Sequence, residues 1–335
     1  MKRRLLLTAP LLLASLAQAA MARERERSAA PRIYMILFRG ETGVEKGFRD
    51  YFKAHGIAVE LIVRDVALDV SKVPTLIAEA RALKVDLIYT WGTPVTLAVA
   101  GRADAVDPAR HVTDIPVLFT MVASPEAAGL VVSRASSGRN LTGASHVVPL
   151  AQQLSAMRAY RPFARLGVIY NPAEPNSVLN VRELRAFAAS ERFSLSEAPV
   201  PLDAKGQPLA AALPELLAGL ARARVQLLYM GPDSFLAANR KAYTEAALAL
   251  RLPMFSATET AVRDGKALFG LVSGYEYVGR LTAYQATRIL IHKQAPDTIA
   301  VETLARFSYL VNMPVATRLD FYPPLRVVNF AELIR

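Results

Sequence analysis

Residues 166–177 read LGVIYNPAEPNS, and the order of residue types in this stretch decides the fold. The apolar run 166–169 is short and continuous, which is typical of a strand buried in a parallel sheet. Asn171 and Pro172 favour a turn, and 178–190 has the composition of a helix. Strand, turn and helix in this order predict an α/β unit. Its turn lies at the carboxyl end of the strand, where such sheets bind ligands.

The turn itself has two interpretations. In the first, Asn176 or Ser177 caps the helix with its side-chain oxygen, and the turn has only a structural role. Alternatively, the free N–H groups at the helix start attract an anionic group of a ligand. The residue types allow both, so the turn alone does not assign a function.

The same alternation of strand and helix runs through most of the chain. It predicts two successive sets of five short apolar strands, at 32–38, 58–63, 87–90, 117–120, 141–145, 166–170, 195–200, 227–230, 254–256 and 267–272. Helices are predicted at 42–55, 73–83, 94–103, 150–160, 178–190, 209–221, 234–250 and 275–291, before an irregular tail to residue 335. Short apolar strands that alternate with helices indicate parallel sheets covered on both faces. The predicted fold class is therefore α/β with two similar lobes.

The positions of the strands and helices also predict the limits of the lobes. We expect the first lobe to comprise 32–146 together with about 275–306. The second lobe is expected to comprise 147–274 together with about 307–335. In this division the chain crosses between the lobes before the helix at 275 and again near Phe307.

The N-terminus has the three parts of a secretory signal peptide. Residues 2–4 are basic, 5–16 form an apolar run, and 17–19 read AQA, a small-residue cleavage signature. The apolar run is too short to span a bilayer, and no cysteine follows it for a lipid anchor. We therefore expect a signal peptide at 1–19, a flexible leader at 20–31 and a mature protein in the periplasm.

The inventory of reactive side chains argues against catalysis. The chain has no cysteine and four scattered histidines, which excludes thiol chemistry and gives no metal-ligand spacing on a helix face. It lacks a Walker loop, a G-x-G-x-x-G turn after the first strand and a G-x-S-x-G elbow. The net charge of +11 comes from dispersed basic residues rather than from a basic cluster with interleaved aromatics. We expect a binding protein that is not an enzyme, uses no cofactor or metal, and binds no nucleic acid.

Six stretches of the sequence together resemble a known family. They are WGTP at 91–94, VLFTMVASP at 117–125, NLTG at 140–143, YNPAEPNS at 170–177, YMGPD at 229–233 and YEYVGR at 275–280. In this order and spacing the chain resembles the substrate-binding components of ABC transporters of the tryptophan/tyrosine-binding type, from about Arg32 to Ile334. The resemblance implies a type I periplasmic-binding fold. In this fold two Rossmann-like lobes with parallel sheets are joined by a hinge and hold a ligand in the cleft between them.

The resemblance also implies a ligand site with members in both lobes. These members are Trp91, Thr93, Thr120, Asn171, Ser177, Asp233 and Tyr275. Thr93 would bind a carboxylate through its hydroxyl, Asp233 would pair with a ligand ammonium, and Trp91 would offer a stacking surface. Ordinary structural roles stay open as well, since Thr93 and Asp233 are suited to cap helices, and Trp91 and Tyr275 are suited to pack in a core.

Three positions depart from the family's pattern in the same direction. Ser124, Thr258 and Gly274 stand where the family often carries acidic residues. Loss of an acidic group that faces the cleft would weaken recognition of an ammonium. The expected ligand is amino-acid-like or a carboxylate, and the departures favour a molecule without an α-amino group.

Together these observations predict the exported solute-binding component of an ABC-type importer. It would capture a small organic ligand by closure of its lobes and deliver the ligand to an ABC permease in the inner membrane. We expect the protein to be a monomer. The alternative is a periplasmic ligand-sensing adaptor for a sensor kinase or a chemoreceptor, because the same fold would serve and only the docking surface would differ.

Overall fold

Two separate β-sheets organise residues 30–335, which are the residues described by the computed structural model. Each sheet has its own hydrophobic core. The predicted α/β class with two lobes is therefore confirmed. The predicted signal peptide at 1–19 and the leader up to residue 29 lie outside the described residues.

The first sheet contains five parallel strands in the order β2-β1-β3-β4-β5. They are β1 (Arg32–Leu37), β2 (Glu60–Asp65), β3 (Leu87–Trp91), β4 (Val117–Val122) and β5 (Leu141–Ser145). All except the edge strand β2 are almost completely buried. A parallel sheet that is covered on both faces needs continuous apolar strands, which is why the sequence predicted all five.

Three helices follow strands of this sheet directly. They are α1 (Gly43–Ala54), α2 (Val73–Ala82) and α3 (Thr93–Ala100). A capping box starts α1: the Thr42 hydroxyl accepts from the N–H of Val44, and the Glu45 carboxylate accepts from the N–H of Thr42 at 2.7 Å. The start of α3 differs, because Gly92 precedes it and no side chain caps it.

The second sheet contains seven strands in the order β12-β11-β10-β9-β8-β6-β7. They are β6 (Arg165–Tyr170), β7 (Ser194–Pro199), β8 (Leu227–Met230), β9 (Met254–Ser256), β10 (Phe269–Val272), β11 (Ser308–Asn312) and β12 (Glu332–Ile334). The prediction of an irregular tail is wrong, since the tail supplies β11 and β12. Strand β11 runs antiparallel to β10, and β12 pairs with β11 in parallel.

Six helices of the second lobe lie between residues 150 and 263. They are α4 (Leu150–Tyr160), α5 (Pro175–Glu191), α6 (Leu213–Arg222), α7 (Ser234–Ala238), α8 (Arg240–Ala249) and α9 (Glu259–Arg263). Helix α5 begins at Pro175, a residue that suits the first helical position. Asn176 and Ser177 therefore lie inside its first turn and do not cap it, contrary to the first interpretation of this turn. The single helix predicted at 234–250 is broken at Asn239.

Helix α10 (Tyr275–Leu290) follows the second sheet along the chain but packs against α1 in the first lobe. The two helices are very close. A Cβ atom at Gly47 would lie 2.0 Å from the carbonyl oxygen of Glu276, and one at Gly279 would lie 2.0 Å from that of Val44. Because only glycine permits such an approach, these two residues hold α10 on the first lobe.

The chain passes between the two cores three times. The connections run from β5 to α4, from β10 to α10, and from Val301 to β11. After the last crossing, α11 (Met313–Leu319) and α12 (Leu325–Val328) complete the second lobe. No helix within residues 30–335 combines the length and the apolar character that a membrane span requires.

Candidate ligand-binding cleft

A cleft lies between the two lobes, and its first wall is built at the carboxyl ends of the strands of the first sheet. This wall consists of Arg39, Trp91, Thr93, Met121, His146 and Tyr275. Arg39 lies two residues after β1, Trp91 ends β3, and His146 follows β5. The parallel strands thus bring residues that are distant in sequence to the edge of the sheet at which α/β proteins bind ligands.

The second wall belongs to the second lobe. It consists of Glu174, Asn176, Pro232, Asp233, Ser234, Ala237 and Thr258. Glu174 precedes α5, Asp233 lies between β8 and α7, and Thr258 lies between β9 and α9. These positions again follow the carboxyl ends of strands, so the two sheets present equivalent edges to the cleft.

The space between the two walls is small. Its volume is about 30 Å³, which is room for water but is far below the range of about 300–1,000 Å³ that organic ligands occupy. Helix α3 of the first lobe lies against α5 of the second. An organic solute therefore requires the walls to move apart before it can enter.

Arg39 lies over the indole ring of Trp91. The guanidinium carbon is 4.8 Å from the ring centroid, which is the geometry of a cation–π contact. Trp91 is only 3 % exposed, so the ring is a fixed platform. None of the ion pairs formed by residues 30–335 includes Arg39. A stacked guanidinium without a carboxylate partner is available to an anionic group of a ligand.

Five buried polar atoms that line the cleft have no hydrogen-bond partner among residues 30–335. They are Arg39 Nε, Trp91 Nε1, Thr93 Oγ1, His146 Nδ1 and Asn176 Oδ1. Buried polar atoms are normally paired, because an unpaired one costs about 1–3 kcal/mol. Four of these five atoms belong to the first wall. Their concentration in one cleft favours a site that a ligand completes.

Asp233 of the second wall makes three hydrogen bonds inside its own lobe. Its Oδ2 accepts from the N–H of Asn171 at 2.7 Å and from the hydroxyl of Ser177 at 2.6 Å. Its Oδ1 accepts from the N–H of Leu236 at 2.9 Å and thereby caps α7. A carboxylate accepts about four hydrogen bonds, so the protein itself uses most of the capacity of Asp233.

Glu174 shares the second wall with Asp233. Its carboxylate accepts from Ser234 twice, from the N–H at 2.9 Å and from the hydroxyl at 2.8 Å. Burial, and then the neighbouring Asp233, raise the pKa of Glu174 to about 7, and burial also raises the pKa of Asp233. Two carboxylates in one buried site do not ionise together readily, so Glu174 holds a proton up to about pH 7. Within residues 30–335 these acids, like all others, join no cluster suited to hold a metal ion.

His146 and Met121 give the first wall two further properties. Burial and the nearby Arg39 lower the pKa of His146 to about 3, so its imidazole is neutral at physiological pH. Met121 has a φ of 56° where the pairing of β4 with β5 shifts register. This left-handed conformation costs a residue such as methionine about 1–3 kcal/mol, and strain of this kind collects at binding sites.

Four of the seven site residues predicted from the sequence line the cleft, namely Trp91, Thr93, Asp233 and Tyr275. Asn171 and Ser177 lie behind this surface, where both donate hydrogen bonds to Asp233. Thr120 lies inside the first lobe, and its hydroxyl accepts from that of Thr282 at 3.1 Å. The structure thus brings four residues to one surface and leaves three away from it, and the ligand contacts of all seven stay a prediction.

Sequence reasoning missed nine lining residues of the cleft, and three of these carry ionisable side chains, namely Arg39, His146 and Glu174. Each of them follows a strand end, after β1, β5 and β6 respectively. A search for the first charged or aromatic polar side chain after every predicted strand would have found Arg39 and His146. Glu174 was quoted as part of the turn at 170–177, but the sequence does not reveal that it lies beside Asp233.

A larger cavity, of about 350 Å³, lies within the second lobe away from the cleft. Aromatic side chains such as Tyr160, Phe163 and Phe321 line it. Its polar groups have partners: the Tyr160 hydroxyl donates to the carbonyl of Phe321 at 2.7 Å, and Arg251 donates to the carbonyl of Leu319 at 3.2 Å. Because no buried polar group there lacks a partner, the smaller cleft is the better candidate for a ligand site.

Two α/β lobes that face each other across a cleft with unpaired polar atoms define a bilobed ligand-binding protein. Comparison with known proteins specifies the family. The sequence pattern of the ABC transporter substrate-binding proteins matches residues 40–332. The chain therefore belongs to this family, and the resemblance noted from the sequence motifs is confirmed.

Individual relatives agree with this assignment. The tyrosine-binding protein of Clostridioides difficile strain R20291 is 25 % identical over 277 residues, which cover 82 % of this chain and 73 % of the relative. A conserved domain protein from Vibrio cholerae superposes with a TM-score of 0.80 at 22 % identity, covering 92 % of this chain and 100 % of that one. An ABC domain from Streptococcus pneumoniae in complex with L-Trp superposes with a TM-score of 0.78 at 20 % identity and the same coverage, 92 % and 100 %. These structures confirm the predicted type I periplasmic-binding fold.

Proposed function

We propose that the chain is the exported solute-binding component of an ABC-type importer. It captures a small organic solute between its lobes in the periplasm and presents the solute to a permease in the inner membrane. The observation that carries the proposal is the set of buried, unpaired polar atoms that both lobes direct at one cleft. Such atoms destabilise an empty protein and are satisfied when a solute binds.

Lobe closure explains how the solute is held and released. Thr93 and His146 approach the solute from the first lobe, and Asn176 approaches it from the second. Contacts to both lobes exist together only when the cleft is shut, so the solute favours the closed state. The connection from β10 to α10 consists of only Ser273 and Gly274. Rotation about this connection and its two neighbours changes the separation of the lobes without altering either sheet.

The relatives and the N-terminal sequence support the proposed class of solute and the proposed location. One relative is a tyrosine-binding protein, and one structural neighbour holds L-Trp. A small organic molecule of comparable size is therefore the class of solute that we propose. The signal-like sequence at 1–19 supports export, and membership of an ABC transporter family supports a permease partner.

The absence of cysteine from the chain allows a direct test with spin labels. Val70→Cys in the first lobe and Leu202→Cys in the second place two labels on exposed positions of different lobes. A thermal-shift screen with small metabolites first finds a solute, because a solute at about 100 times its dissociation constant stabilises by about 2.7 kcal/mol. Electron paramagnetic resonance then gives the distance between the labels with and without that solute.

The expected result is a shorter distance between the labels at residues 70 and 202 when the solute is bound. A control pair, Leu202→Cys with Leu250→Cys, places both labels on the second lobe and should keep its distance, since each lobe moves as a unit. An unchanged distance for the first pair, with binding verified by calorimetry, would contradict capture by lobe closure.

A further inference from the structure

We propose that the solute is an organic carboxylate without an ammonium group and that Arg39 binds its carboxylate. This inference rests on the proposed function of solute capture and specifies the chemistry of the solute. It depends on three observations: the Arg39 guanidinium, which within residues 30–335 forms no ion pair and has an Nε without a partner, the donors on the first wall, and the internal hydrogen bonds of the acids on the second.

Arg39 is positioned before any solute arrives. Its guanidinium is stacked on the ring of Trp91 with 4.8 Å between the guanidinium carbon and the ring centroid, and its Nε is buried without a partner. Stacking restricts the orientation of the planar fork, so less conformational freedom is lost when it binds a ligand. A carboxylate matches this fork with two parallel hydrogen bonds, which an amide or a hydroxyl of a neutral solute cannot do equally well.

The other unpaired atoms of the first wall add to the demand for an acceptor. Trp91 Nε1 is a donor only, the Thr93 hydroxyl can donate, and His146 is a neutral imidazole with an unpaired Nδ1. Helix α3 begins at Thr93 with no side-chain cap, so its first N–H groups and the positive end of its dipole also lie at this wall. Trp91 and the start of α3 favour oxygen atoms with negative charge on the solute, and Thr93 and His146 are able to donate to such atoms.

The second wall offers little to a ligand ammonium. Asp233 already accepts three hydrogen bonds, and Glu174 accepts two from Ser234. The unpaired atom of this wall is Asn176 Oδ1, a single neutral acceptor. An ammonium carries three N–H donors, and on this wall it would meet one unpaired acceptor, which is neutral. The charged or titratable groups that face the cleft are Arg39, His146, Tyr275 and the two acids, and Arg39 is the cation that remains without a counter-ion.

Matched pairs of solutes that differ only by the α-amino group test this inference. The pairs are indole-3-propanoate with L-tryptophan, 3-phenylpropanoate with L-phenylalanine, and 4-methylpentanoate with L-leucine, which together span a range of sizes. Calorimetric titration into the mature protein should show that the carboxylate binds at least about tenfold more tightly than its amino acid in the pair whose size fits.

Variants of Arg39 test the assigned residue with the same titrations. Arg39→Gln should weaken the best carboxylate by about tenfold or more, and Arg39→Lys should weaken it less, because lysine keeps the charge but loses the fork. Arg110→Gln is the control: Arg110 is exposed on a loop of the first lobe away from the cleft, and its substitution should leave the affinity unchanged. Circular dichroism verifies that each variant is folded.

Three results would overturn the inference. They are tighter binding of the amino acid in every pair that binds, absence of binding by all three carboxylates, and unchanged affinity of a folded Arg39→Gln variant for a bound carboxylate. Each leaves the proposed function intact if the labels at residues 70 and 202 still approach with another solute, for example an amino acid or a sugar. If no solute of any class changes that distance, the proposed function fails as well.

Discussion

The two walls of the cleft use their polar groups in opposite ways. On the first wall, Trp91 Nε1, Thr93 Oγ1 and His146 Nδ1 are buried without hydrogen-bond partners among residues 30–335. On the second wall, Asp233 and Glu174 are equally buried but are held by hydrogen bonds from their own lobe. The first wall therefore resembles a surface prepared for a ligand, while the second resembles a rigid support.

Because of this difference, substitutions on the two walls should affect different properties of the protein, namely ligand affinity and folding stability. A substitution on the first wall removes an unsatisfied group and should change ligand affinity more than folding. A substitution of the carboxylates on the second wall leaves buried donors without acceptors and should change folding more than affinity. The stabilities of variants on the two walls therefore test whether the polar groups of the walls have these different roles.

The largest effect is expected for Asp233→Ala. It leaves the N–H groups of Asn171 and Leu236 and the hydroxyl of Ser177 without their acceptor. We expect a loss of about 2–4 kcal/mol in the free energy of unfolding, measured by urea denaturation. The Glu245→Ala variant, at an exposed position of the same lobe, should change it by no more than about 0.5 kcal/mol. A stable Asp233→Ala variant would show that the hydrogen bonds of the second wall do not support the lobe.

Glu174→Gln should remove a dependence of stability on pH. The pKa of Glu174 is raised from its ordinary value of 4.5 to about 7 in the folded protein. Between these values the unfolded chain releases the proton while the folded protein keeps it, so stability falls as pH rises from about 4.5 to about 7 and stays low above it. The free energy of unfolding of Glu174→Gln minus that of wild type should therefore be larger at pH 8 than at pH 4.

Urea denaturation at both pH values measures this difference. Glu215→Gln changes an exposed carboxylate that pairs with Arg222 on the surface and serves as the control, since it should show little change with pH. If Glu174→Gln and wild type respond to pH identically, the carboxylates of the second wall are not coupled as the structure indicates.

A smaller loss is expected for Ser177→Ala. It removes one hydrogen bond to Asp233, at 2.6 Å, and leaves the other two. The free energy of unfolding should fall by about 1–2 kcal/mol. Ser190→Ala on the same helix lies on the exposed surface and should be close to neutral. Equal stability of the two variants would argue that Ser177 does not support Asp233.

The smallest effect on folding is expected for Thr93→Val on the first wall. The substitution removes a buried hydroxyl that has no partner, so stability should stay the same or rise slightly. Thr96→Val on the same helix removes a hydroxyl that donates to the carbonyl of Gly92 at 2.8 Å and should cost about 1 kcal/mol. Thermal denaturation compares the two. A larger loss for Thr93→Val than for Thr96→Val would mean that the first wall is built for stability.

The sheets could be predicted from sequence where local pattern decides the structure. The runs at 33–37 and 117–119 are apolar on both faces of the sheet, so their composition alone identifies buried parallel strands. Strand β11, Ser308–Asn312, was missed because its place depends on antiparallel pairing with β10, and β10 precedes a helix that belongs to the other lobe. Pairing of that kind is a property of the tertiary structure and leaves no local signal.

The candidate site was predictable to a similar extent. Family motifs pointed to Trp91, Thr93, Asp233 and Tyr275, which line the cleft. They did not reveal Arg39, because its importance comes from its stacking on Trp91, more than fifty residues away along the chain. The motifs also did not distinguish residues that line the cleft from residues that hold Asp233 in place. That distinction depends on the hydrogen bonds of Asp233, which require β6 and β8 to be neighbours in the sheet.

Trp91 provides the most direct test of the central claim, which is that a solute is held between the lobes against the first wall. It is the single tryptophan of the chain, and its indole N–H lies in the cleft without a partner. In a ¹⁵N-labelled sample the indole ¹H–¹⁵N signal therefore reports on the cleft alone. We predict that this signal moves in proportion to occupancy when a solute found by thermal shift is titrated. A signal that does not move at saturation, as defined by calorimetry, would contradict the account.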